Sequence, residues 1–279
     1  MPVTVVVPTR DEAASLPRCL ASLGHDFTEV VVVDSGSRDG TQEIARASGA
    51  TVLEFRWNGA LPKKRNWTLG THRFAAPWVL FLDADERVTP AFVAELRRVL
   101  PHSPHAGYWI AFDNWFLGAP LRHGDVMRKL ALFRVGAGAY EPVDHPIPGA
   151  PDELDMEVHE HPVLTGSVGR IRARLEHDDR RGLASYLAKH ESYAAWEAQR
   201  FLHLANAPSE AWDRLTWRQR VKYRHLDAWW LSWAYVAAAY FAKGGFLDGR
   251  AGLRFHLHKR RYFADIRRRI VATRRDQRP

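Results

Sequence analysis

Short apolar runs alternate with amphipathic stretches along the first hundred residues of the chain. The apolar runs contain four or five residues, are rich in β-branched and aromatic side chains, and occupy positions 3–7, 30–33, 51–55 and 78–82. Runs of this kind are typical of strands buried on both faces of a sheet. The stretches between and after them have helical spacing and occupy positions 13–23, 41–48, 63–74 and 90–100. This alternation predicts an open, mostly parallel α/β sheet flanked by helices.

Polar clusters follow three of the predicted strands at the point where each strand ends. They occupy positions 8–12, 34–39 and 83–86. In open α/β sheets, ligands bind beyond the carboxyl ends of the strands, close to the switch point of the strand order. One polar loop carries little information, but three loops gathered at the same edge by the fold predict a binding site there.

The third cluster contains the tripeptide Asp83-Ala84-Asp85, directly after an apolar strand. Buried carboxylates without partners are costly, so these groups must face water, a cation or a ligand. In an extended segment the two aspartates lie on the same side, and Ala84 between them is small. Two such oxygen ligands suit a hard divalent cation, Mg²⁺ or Mn²⁺, that also takes ligands from a phosphate. Alone, the tripeptide would be read as a solvated loop that leads into the next helix; its place at the sheet edge favours the cation.

Two common phosphate-binding signatures are absent from the sequence. The G-x-G-x-x-G dinucleotide fingerprint does not follow the first strand, and no G-x-x-x-x-G-K-[ST] loop occurs. Lys63, Lys64 and Arg65 precede the fourth strand and can reach its end, and Asp34 can accept hydrogen bonds from a base or a ribose. Together these groups suit a nucleoside diphosphate that is carried by a divalent cation.

The motifs at this edge resemble those of a known family. They read Val-Val-Val-Pro-Thr-Arg-Asp-Glu, Val-Val-Asp-Ser-Gly-Ser-Arg-Asp-Gly-Thr, Lys-Lys-Arg-Asn-Trp and Leu-Phe-Leu-Asp-Ala-Asp-Glu, in this order. In this the chain resembles the family 2 glycosyltransferases of GT-A fold, and within them the branch near lipopolysaccharide-core β-glucosyltransferases. Further similar segments lie at 128–134, 158–160, 166–177 and 243–249, so the resemblance extends over roughly the whole chain.

The resemblance implies roles for individual residues. The first nucleotide-contacting loop would comprise Pro8, Thr9, Arg10 and Glu12. Asp34 would read the base, with Ser35 and Gly36 beside it, and Lys64 and Asn66 would contact the nucleotide sugar or phosphate. Asp83 and Asp85 would form the D-x-D motif with Ala84 between them, and Asp85 is expected to ligate the metal directly. His177 resembles the late histidine that completes the metal or phosphate site; a surface histidine is the alternative.

An inverting glycosyl transfer also needs a carboxylate that takes the proton of the acceptor hydroxyl. In the related enzymes the segment around Val158-His159-Glu160 supplies this base through an x-E-D pattern, and Glu160 is therefore predicted to be the base. Because this sequence reads Val-His-Glu instead, Glu141, Asp144 and Glu157 remain rivals, as does a surface role for Glu160. His159 and His161 lack the H-E-x-x-H spacing of a zinc site.

The C-terminal part of the chain is basic and aromatic. Residues 250–279 contain eleven Lys or Arg and two acids, whereas residues 1–249 sum to a charge of −1. The apolar segment 228–241 has about fourteen residues, fewer than the roughly 20 that span a bilayer, and its Trp and Tyr favour the membrane interface or a packed helix. Residues 228–275 are therefore predicted to dock on an anionic inner-membrane surface, with a solvated helix or an oligomer contact as the alternative.

These observations together predict the organisation and the function. A GT-A catalytic domain is expected at 1–180, with a nucleotide-binding half at 1–100 and an acceptor half at 101–180, followed by a helical basic extension at 181–279. In the acceptor half, one or two of the aromatic residues at 108–116 are candidates for an acceptor groove, although core positions are the commoner use of such side chains. No signal segment precedes the first strand, which predicts a cytoplasmic protein that is peripheral on the inner membrane.

The expected reaction is the inverting transfer of a hexose, glucose by resemblance, from a UDP-sugar to a lipopolysaccharide-core or other lipid-linked glycan. Two other classes stay open. A sugar nucleotidyltransferase would use a similar sheet, although it typically opens on a glycine-rich loop that is missing here. A non-catalytic basic protein would bind nucleic acid through its tail, but the aromatic residues beside the tail favour a membrane, so no nucleic acid is expected as a partner.

Overall fold

A computed structural model describes residues 1–58, 61–141, 161–179, 181–213, 215 and 217–276. The contacts divide the chain into two compact units. The first unit comprises residues 1–115 and the described parts of 126–144 and 155–180, and the second comprises 116–125 and the described part of 181–279. The predicted boundary of the catalytic domain at residue 180 stays a prediction, since the second unit also includes 116–125.

The first unit opens with the predicted strand–helix alternation. Its elements are β1 (Val3–Thr9), α1 (Leu16–Leu23), β2 (Glu29–Asp34), α2 (Thr41–Ala47), β3 (Thr51–Glu54), α3 (Lys64–Thr71), β4 (Trp78–Phe81), β5 (Glu86–Arg87) and α4 (Pro90–Val99), with a 3-10 turn at Leu100–His102. Thr89 caps α4 by accepting a hydrogen bond from the Phe92 amide at 3.2 Å, and Pro90 occupies the first turn, where no amide hydrogen is needed.

The strands that follow are β6 (Gly107–Phe116), β7 (Ala119–Leu121), β8 (Arg128–Arg134), β9 (Gly138–Tyr140), β10 (Pro162–Leu164), β11 (Val168–Arg170) and β12 (Leu175–His177). The main sheet has the order β3-β2-β1-β4-β8-β6-β12-β5. The first four strands in this order run parallel, β8 runs antiparallel to both β4 and β6, and β12 is parallel to β6 and antiparallel to β5. The predicted α/β architecture is therefore confirmed, as a mixed sheet flanked by helices.

The apolar core of the first unit lies on both faces of this sheet. Val5, Val7 and Leu80 point to the side covered by α1 and α4, where Leu16 and Phe92 are fully buried. Val6, Val31 and Phe81 belong to the other side, together with Phe133 and Tyr140. Alternate residues of the same strand thus enter different cores, which explains why these strands are apolar at nearly every position.

The aromatic residues of β6 serve mainly this core. Tyr108 and Phe112 are buried in it, Trp109 keeps 41% of its surface exposed and Trp115 is half-buried. Phe116 belongs to the second unit and is buried there with Leu121 and Phe255. The candidates for an acceptor groove are thereby narrowed to Trp109 and Trp115, and their role in acceptor binding stays a prediction.

The second unit is helical and contains α5 (Gly182–Ala205), α6 (Ser209–Asp213), α7 (Trp217–His225), α8 (Leu231–Val236) and α9 (Gly249–Asp276). A π-helical segment at Ala237–Ala242 continues α8, and a 3-10 turn at Gly245–Asp248 leads into α9. Phe201, Tyr223, Leu226 and Ile266 form its main core. None of the helices in the described part of the chain combines the length and the apolar character that crossing a bilayer requires.

Candidate active site

Asp34 is the centre of a hydrogen-bond network at the carboxyl end of β2. Its buried carboxylate accepts hydrogen bonds from the Thr9 hydroxyl at 3.0 Å, from the Ser37 amide at 2.9 Å and from the Gln42 side chain at 2.8 Å, and the Ser37 hydroxyl donates to it as well. Burial alone would raise the pKa of Asp34, but these donors lower it. The carboxylate is thus kept charged, and its acceptor positions are filled by the protein itself.

The first two polar loops are joined into one structure. The Asp11 amide donates to the Ser37 hydroxyl at 2.8 Å, and the Asp11 carboxylate accepts from the Arg38 amide at 2.8 Å. Asp11 adopts a φ of 53°, in the left-handed region, which an aspartate tolerates better than most residues. The Glu12 amide donates to the Thr41 hydroxyl at 2.9 Å. The loops predicted to contact a nucleotide therefore hold one another in place at the sheet edge.

The exposed parts of these loops are available to a ligand. Arg10 and Gly36 lie at the surface, Pro8 and Glu12 are half-buried, and Gly36 has a φ of 75° with open space on its Cβ side. The Ser35 hydroxyl oxygen is buried and has no hydrogen-bond partner within the described residues. Because a buried polar atom without a partner is costly, Ser35 marks a position where a bound ligand would complete the hydrogen bonding.

Lys64 and Asn66, predicted to contact the nucleotide, lie at the same edge but also have structural contacts. The Lys64 ammonium, on a buried side chain, donates to the Thr9 carbonyl at 3.2 Å. The Asn66 amide group donates to the Tyr140 carbonyl and accepts from the Tyr140 amide, both at 2.8 Å. Asn66 therefore clamps β9 to α3, and a nucleotide contact would have to be made in addition to this pair of bonds.

Asp83 lies between two cations. Its carboxylate forms an ion pair with Arg65, at 3.1 Å from the Nη2 atom, and a second one with the Lys129 ammonium. Burial would raise the pKa of Asp83, but Lys129 and then Arg65 hold it well below its usual range. The negative charge of Asp83 is thus already balanced by the protein.

Lys129 also contacts Glu86, which is fully buried and accepts a hydrogen bond from the Asp83 amide at 3.0 Å. Burial raises the pKa of Glu86 to about 7, against the opposing effect of Lys129. For Lys129 itself, burial acts to lower the pKa, but Asp83 and Glu86 raise it well above its usual value. Lys129 therefore stays charged and joins the two carboxylates into one cluster.

Asp85 and His177 face each other beside this cluster. The antiparallel pairing of β12 with β5 places His177 across from Glu86. The His177 Nε2 atom lies 3.4 Å from Asp85 Oδ2, and its Nδ1 atom lies 2.7 Å from Asn114 Oδ1. Burial acts to lower the pKa of His177, but the charge of Asp85, its hydrogen bond to the ring and the charge of Glu86 together raise the pKa above its ordinary value. The segment is fixed further because the Asp178 amide donates to the Asp85 carbonyl at 3.0 Å.

The donor set at Asp85 and His177 fits a divalent cation such as Mg²⁺ or Mn²⁺. A carboxylate oxygen and an imidazole nitrogen that face each other at 3.4 Å can turn to one ion. Within the described residues no group of three or more His, Cys, Asp or Glu has a geometry that could hold a metal, and Asp83 is directed to Lys129 and Arg65. The remaining ligands of such a cation would therefore come from a bound substrate and water.

Most residues of this cluster were predicted from the sequence, with Glu86 included in the third polar loop but given no role, whereas Lys129 and Asn114 were not predicted as members of the site. Lys129 could have been found, because the antiparallel register of β8 and β4 pairs Trp78 with Arg134 and Leu80 with Leu132, and its continuation brings Lys129 across from Asp83. A charged residue at the start of an otherwise apolar strand was the signal. The contact of Asn114 with His177 depends on the pairing of β6 with β12. No local sequence pattern predicts this pairing.

The predicted catalytic base, Glu160, lies outside the described residues, as do its rivals Asp144 and Glu157. The remaining rival, Glu141, follows β9 directly, is half-buried, and its amide donates to the His161 carbonyl at 3.0 Å. It comes one residue after Tyr140, whose backbone is held by Asn66. The identity of the base thus stays a prediction.

Comparison with known proteins shows what the chain is similar to. A 98-residue segment is 40% identical to a TPR repeat-containing protein of Synechococcus elongatus, over 35% of this chain and 24% of that protein. A longer segment is 29% identical to the lipopolysaccharide core biosynthesis glycosyltransferase LpsC of Rhizobium meliloti, over 62% of this chain and 61% of the relative. The chain thus spans between about a quarter and three fifths of these two relatives.

Among solved structures, glucosyl-3-phosphoglycerate synthase of Mycobacterium tuberculosis, in complex with Mn²⁺, uridine diphosphate and glucosyl-3-phosphoglycerate, is similar with 27% identity. The likeness covers 40% of this chain and 44% of the synthase, with a TM-score of 0.32. The family profile described as Glycosyl transferase family 2 matches residues 4–135, the segment that contains all three polar loops and Lys129. Residues 4–135, just under half of the chain, are thus similar to glycosyl transferase family 2.

Proposed function

We propose that the chain is a metal-dependent inverting glycosyltransferase that moves a hexose from a nucleoside-diphospho-sugar to a glycan acceptor. The observation that carries the proposal is the pair formed by Asp85 and His177, 3.4 Å apart, next to the joined loops at the carboxyl ends of β1 and β2. The match of residues 4–135 to glycosyl transferase family 2 supports the reaction class, and the Asp85–His177 pair supports this position for a cation that would hold the diphosphate.

In this proposal the loops at the sheet edge have different roles in binding the nucleotide and the cation. Ser35, Gly36 and Arg10 offer hydrogen-bonding groups to the nucleotide, while Asp34 fixes the loops through its four internal donors. Asp85 and His177 hold the cation, and Lys129 and Arg65 keep Asp83 in place. A bound Mg²⁺ or Mn²⁺ would stabilise the negative charge that develops on the departing diphosphate.

Inversion requires that the acceptor hydroxyl attack from the side opposite to the diphosphate while a carboxylate takes its proton. Glu160 is proposed for this step because it lies in the segment that resembles the base-bearing region of related enzymes. Glu141, whose neighbour Tyr140 is bonded to Asn66, is the rival among the described residues. A loss of turnover without loss of donor binding in Glu160→Gln, but not in Glu141→Gln, supports Glu160.

The donor is proposed to be a UDP-sugar, with glucose as the transferred hexose, and the acceptor a lipopolysaccharide-core or other lipid-linked glycan. The resemblance to the core β-glucosyltransferase branch supports the donor, and the likeness to a lipopolysaccharide core biosynthesis glycosyltransferase over 62% of the chain supports the acceptor. With an acceptor of this kind, the transfer reaction would take place at the cytoplasmic face of the inner membrane. A peripheral protein would reach the acceptor there.

The test is a product assay with purified protein, UDP-glucose, Mn²⁺ or Mg²⁺ and acceptor glycolipid extracted from envelope membranes. The proposal predicts release of UDP that depends on the acceptor and is lost in Asp85→Asn, while Glu54→Gln, a carboxylate on the exposed end of β3, retains it. Pyrophosphate release from UTP and glucose 1-phosphate would instead identify a sugar nucleotidyltransferase. Neither product, with UDP-glucose and other nucleotide sugars alike, would overturn the proposal.

A further inference from the structure

The second unit exposes an unusual number of large apolar side chains. Along α8 and the π-helical segment that continues it, Trp230, Trp233 and Phe241 face the solvent, with Trp229 just ahead of them. Trp229 is 71% exposed and Phe241 is 64% exposed. Exposed alanines lie between Trp233 and Phe241, at Ala234, Ala237 and Ala238, and Ala242 follows Phe241. Soluble proteins rarely leave such a continuous apolar stripe without a partner, because its contact with water is unfavourable.

A second exposed stripe follows along α9 and is basic as well as apolar. Arg250, Leu253, Arg254, Leu257 and Arg261 are all exposed and recur at intervals of three and four residues, which places them on one side of the helix. Phe255, His256, Ile266 and Ile270 are buried on the other side. Leu253 and Leu257 thus lie in the row of arginines rather than in the core.

The two stripes adjoin. The Arg260 guanidinium lies 4.4 Å from the centre of the Trp233 ring, and Arg260 stands between Leu257 and Arg261 in the sequence of α9. The Trp–Arg face is defined here as the exposed residues of both stripes, Trp229, Trp230, Trp233, Phe241, Arg250, Leu253, Arg254, Leu257 and Arg261. It presents indole and aliphatic groups side by side with cations.

The cations of the Trp–Arg face are not balanced by nearby acids. Among the described residues, no carboxylate forms a salt bridge with Arg250, Arg254 or Arg261, whereas Arg268 and Arg269, further along α9, both pair with Asp265. After burial, the charges of Arg261 and Arg254 are the next causes that lower the pKa of His258. The face therefore carries a positive potential, and its complement is an anionic surface.

We infer that the Trp–Arg face docks on an anionic phospholipid bilayer, with its indole rings at the level of the headgroups and its arginines on the lipid phosphates. Trp is enriched at the membrane interface because its ring is apolar and its N–H remains solvated there. A surface helix that is rich in Trp, Phe and Leu with adjacent Arg lies in the plane of the interface. The inference deepens the proposed function, on which it rests, by naming the surface that brings the chain to lipid-linked acceptors.

Other occupants fit the Trp–Arg face less well. Nucleic acid would engage the arginines but leave the row of Trp, Phe and Leu in water, and its affinity would come from phosphate contacts alone. A second copy of the chain packed face to face would bring unbalanced arginines against arginines, and like charges brought together in this way disfavour association. A bilayer accommodates both the rings and the cations, and each lipid adapts its position.

The test is sedimentation of the full chain with vesicles of phosphatidylethanolamine and phosphatidylglycerol, compared with phosphatidylcholine alone. The docking inference predicts binding to the anionic vesicles, with a blue shift of Trp fluorescence and its quenching by lipids brominated near the headgroup. Replacing the arginines in the triple variant Arg250→Gln, Arg254→Gln and Arg261→Gln is expected to weaken binding roughly a hundredfold, since each cation near an anionic surface contributes about fivefold.

The apolar arm of the test is the double variant Trp229→Ser and Phe241→Ser, expected to weaken binding by about tenfold or more because less apolar area enters the interface. The charge-matched control carries Arg46→Gln, Arg73→Gln and Arg98→Gln on exposed positions of the first unit, and the apolar control is Val163→Ser. Both controls are expected to bind like the unaltered chain.

UDP binding by the same preparations separates the two proposals. Binding of UDP without binding to anionic vesicles would overturn the docking inference and leave the proposed function standing. A second outcome is vesicle binding that is lost in the arginine and Trp–Phe variants, in a chain that binds no nucleotide sugar. This outcome would support the docking inference and overturn the proposed function. Equal loss in the charge-matched control, or tight DNA binding with indifference to vesicles, would also contradict the inference.

Discussion

His177 is oriented by Asn114. The Nδ1 atom of the imidazole lies 2.7 Å from Asn114 Oδ1, and since an amide oxygen can only accept, the proton resides on Nδ1. The Nε2 atom is then directed to Asp85, whose Oδ2 atom is 3.4 Å away and favours the protonated ring by raising the pKa of His177. A cation between the two groups would take the place of the Nε2 proton, and the hydrogen bond at Nδ1 would hold the Nε2 lone pair in the position from which it can ligate that cation.

Asn114→Ala is therefore expected to weaken the binding of Mn²⁺ by about tenfold or more, a range typical for the loss of a group that orients a metal-ligating histidine. The measurement is the free Mn²⁺ signal in electron paramagnetic resonance during a titration, in the presence of UDP. Asn206→Ala, at the end of α5, serves as the control and is expected to leave the affinity unchanged. An unaltered affinity in Asn114→Ala would remove Asn114 from the site.

Asp34 is expected to hold the nucleotide loops mainly through its internal hydrogen bonds. In Asp34→Asn, one oxygen is replaced by an amide group that meets donors from Ser37, Gln42 or Thr9 instead of acceptors. We predict a loss of about 2 kcal/mol in the free energy of unfolding, within the range for a buried group left without its partner. Chemical denaturation measures it. Thr9→Val, which removes one donor and keeps the charge, is expected to lose less.

Lys129 is expected to stabilise the first unit through both Asp83 and Glu86. In Lys129→Met the two carboxylates lose their common cation, and the free energy of unfolding should fall by about 2 kcal/mol. This is less than the 3–5 kcal/mol of a fully buried pair, because 32% of the Lys129 side chain is exposed. Adding Glu86→Gln should restore part of the loss. If the two substitutions are instead strictly additive in a double-mutant cycle, the two groups are not coupled.

His190 should make the second unit sensitive to acid. Burial, followed by the charge of Lys259, lowers the pKa of His190 to about 4, against the opposing bond to the Tyr186 carbonyl. Because the folded state binds this proton less readily than the unfolded chain does, stability is complete above the ordinary pKa of about 6.5 and is lost as the pH falls from there to about 4.

The measurement is the free energy of unfolding by denaturant across that range, followed by fluorescence. His190→Gln is expected to flatten the decline between pH 6.5 and 4, whereas replacing the exposed His25 of the first unit by Gln should leave it unchanged. A decline of the same slope in His190→Gln would assign the acid sensitivity to other groups.

Local patterns were sufficient to predict the first four strands and the helices between them. β1, β2 and β4 are largely buried on both faces and therefore mostly apolar, whereas β3, at the edge of the sheet, exposes Thr51 and Glu54 and is not the buried strand that its sequence predicted. Thr89 and Pro90 mark the start of α4. The position of the polar loops at one edge of the sheet could also be predicted, because the carboxyl ends of parallel strands lie at the same edge. The sequence could not show that Asp34 has its acceptor positions filled or that Asn66 clamps Tyr140, since these bonds depend on the exact geometry of neighbouring loops.

The ion pairs of the candidate site were harder to predict for the same reason. Asp83 and Asp85 are two residues apart and look equivalent in sequence, yet one contacts Lys129 and Arg65 and the other faces His177. That difference arises from the pairing of β8 with β4 and of β12 with β5, over separations of about 50 to 90 residues. The basic and aromatic composition of the C-terminal helix α9 was evident from the sequence. Which of its arginines face the solvent depends on how the helix packs, and the sequence alone does not show this.

Asp85 and His177 are proposed to bind a cation that carries a nucleoside diphosphate. Calorimetric titration of UDP into the metal-free protein, with and without Mn²⁺, tests this cation site in the unaltered chain, in Asp85→Asn and in Glu54→Gln. We expect UDP to bind tightly only with Mn²⁺, Asp85→Asn to abolish this gain in affinity and Glu54→Gln to keep it. Equal UDP affinity with and without the cation, or an undiminished gain in Asp85→Asn, would rule out the cation site.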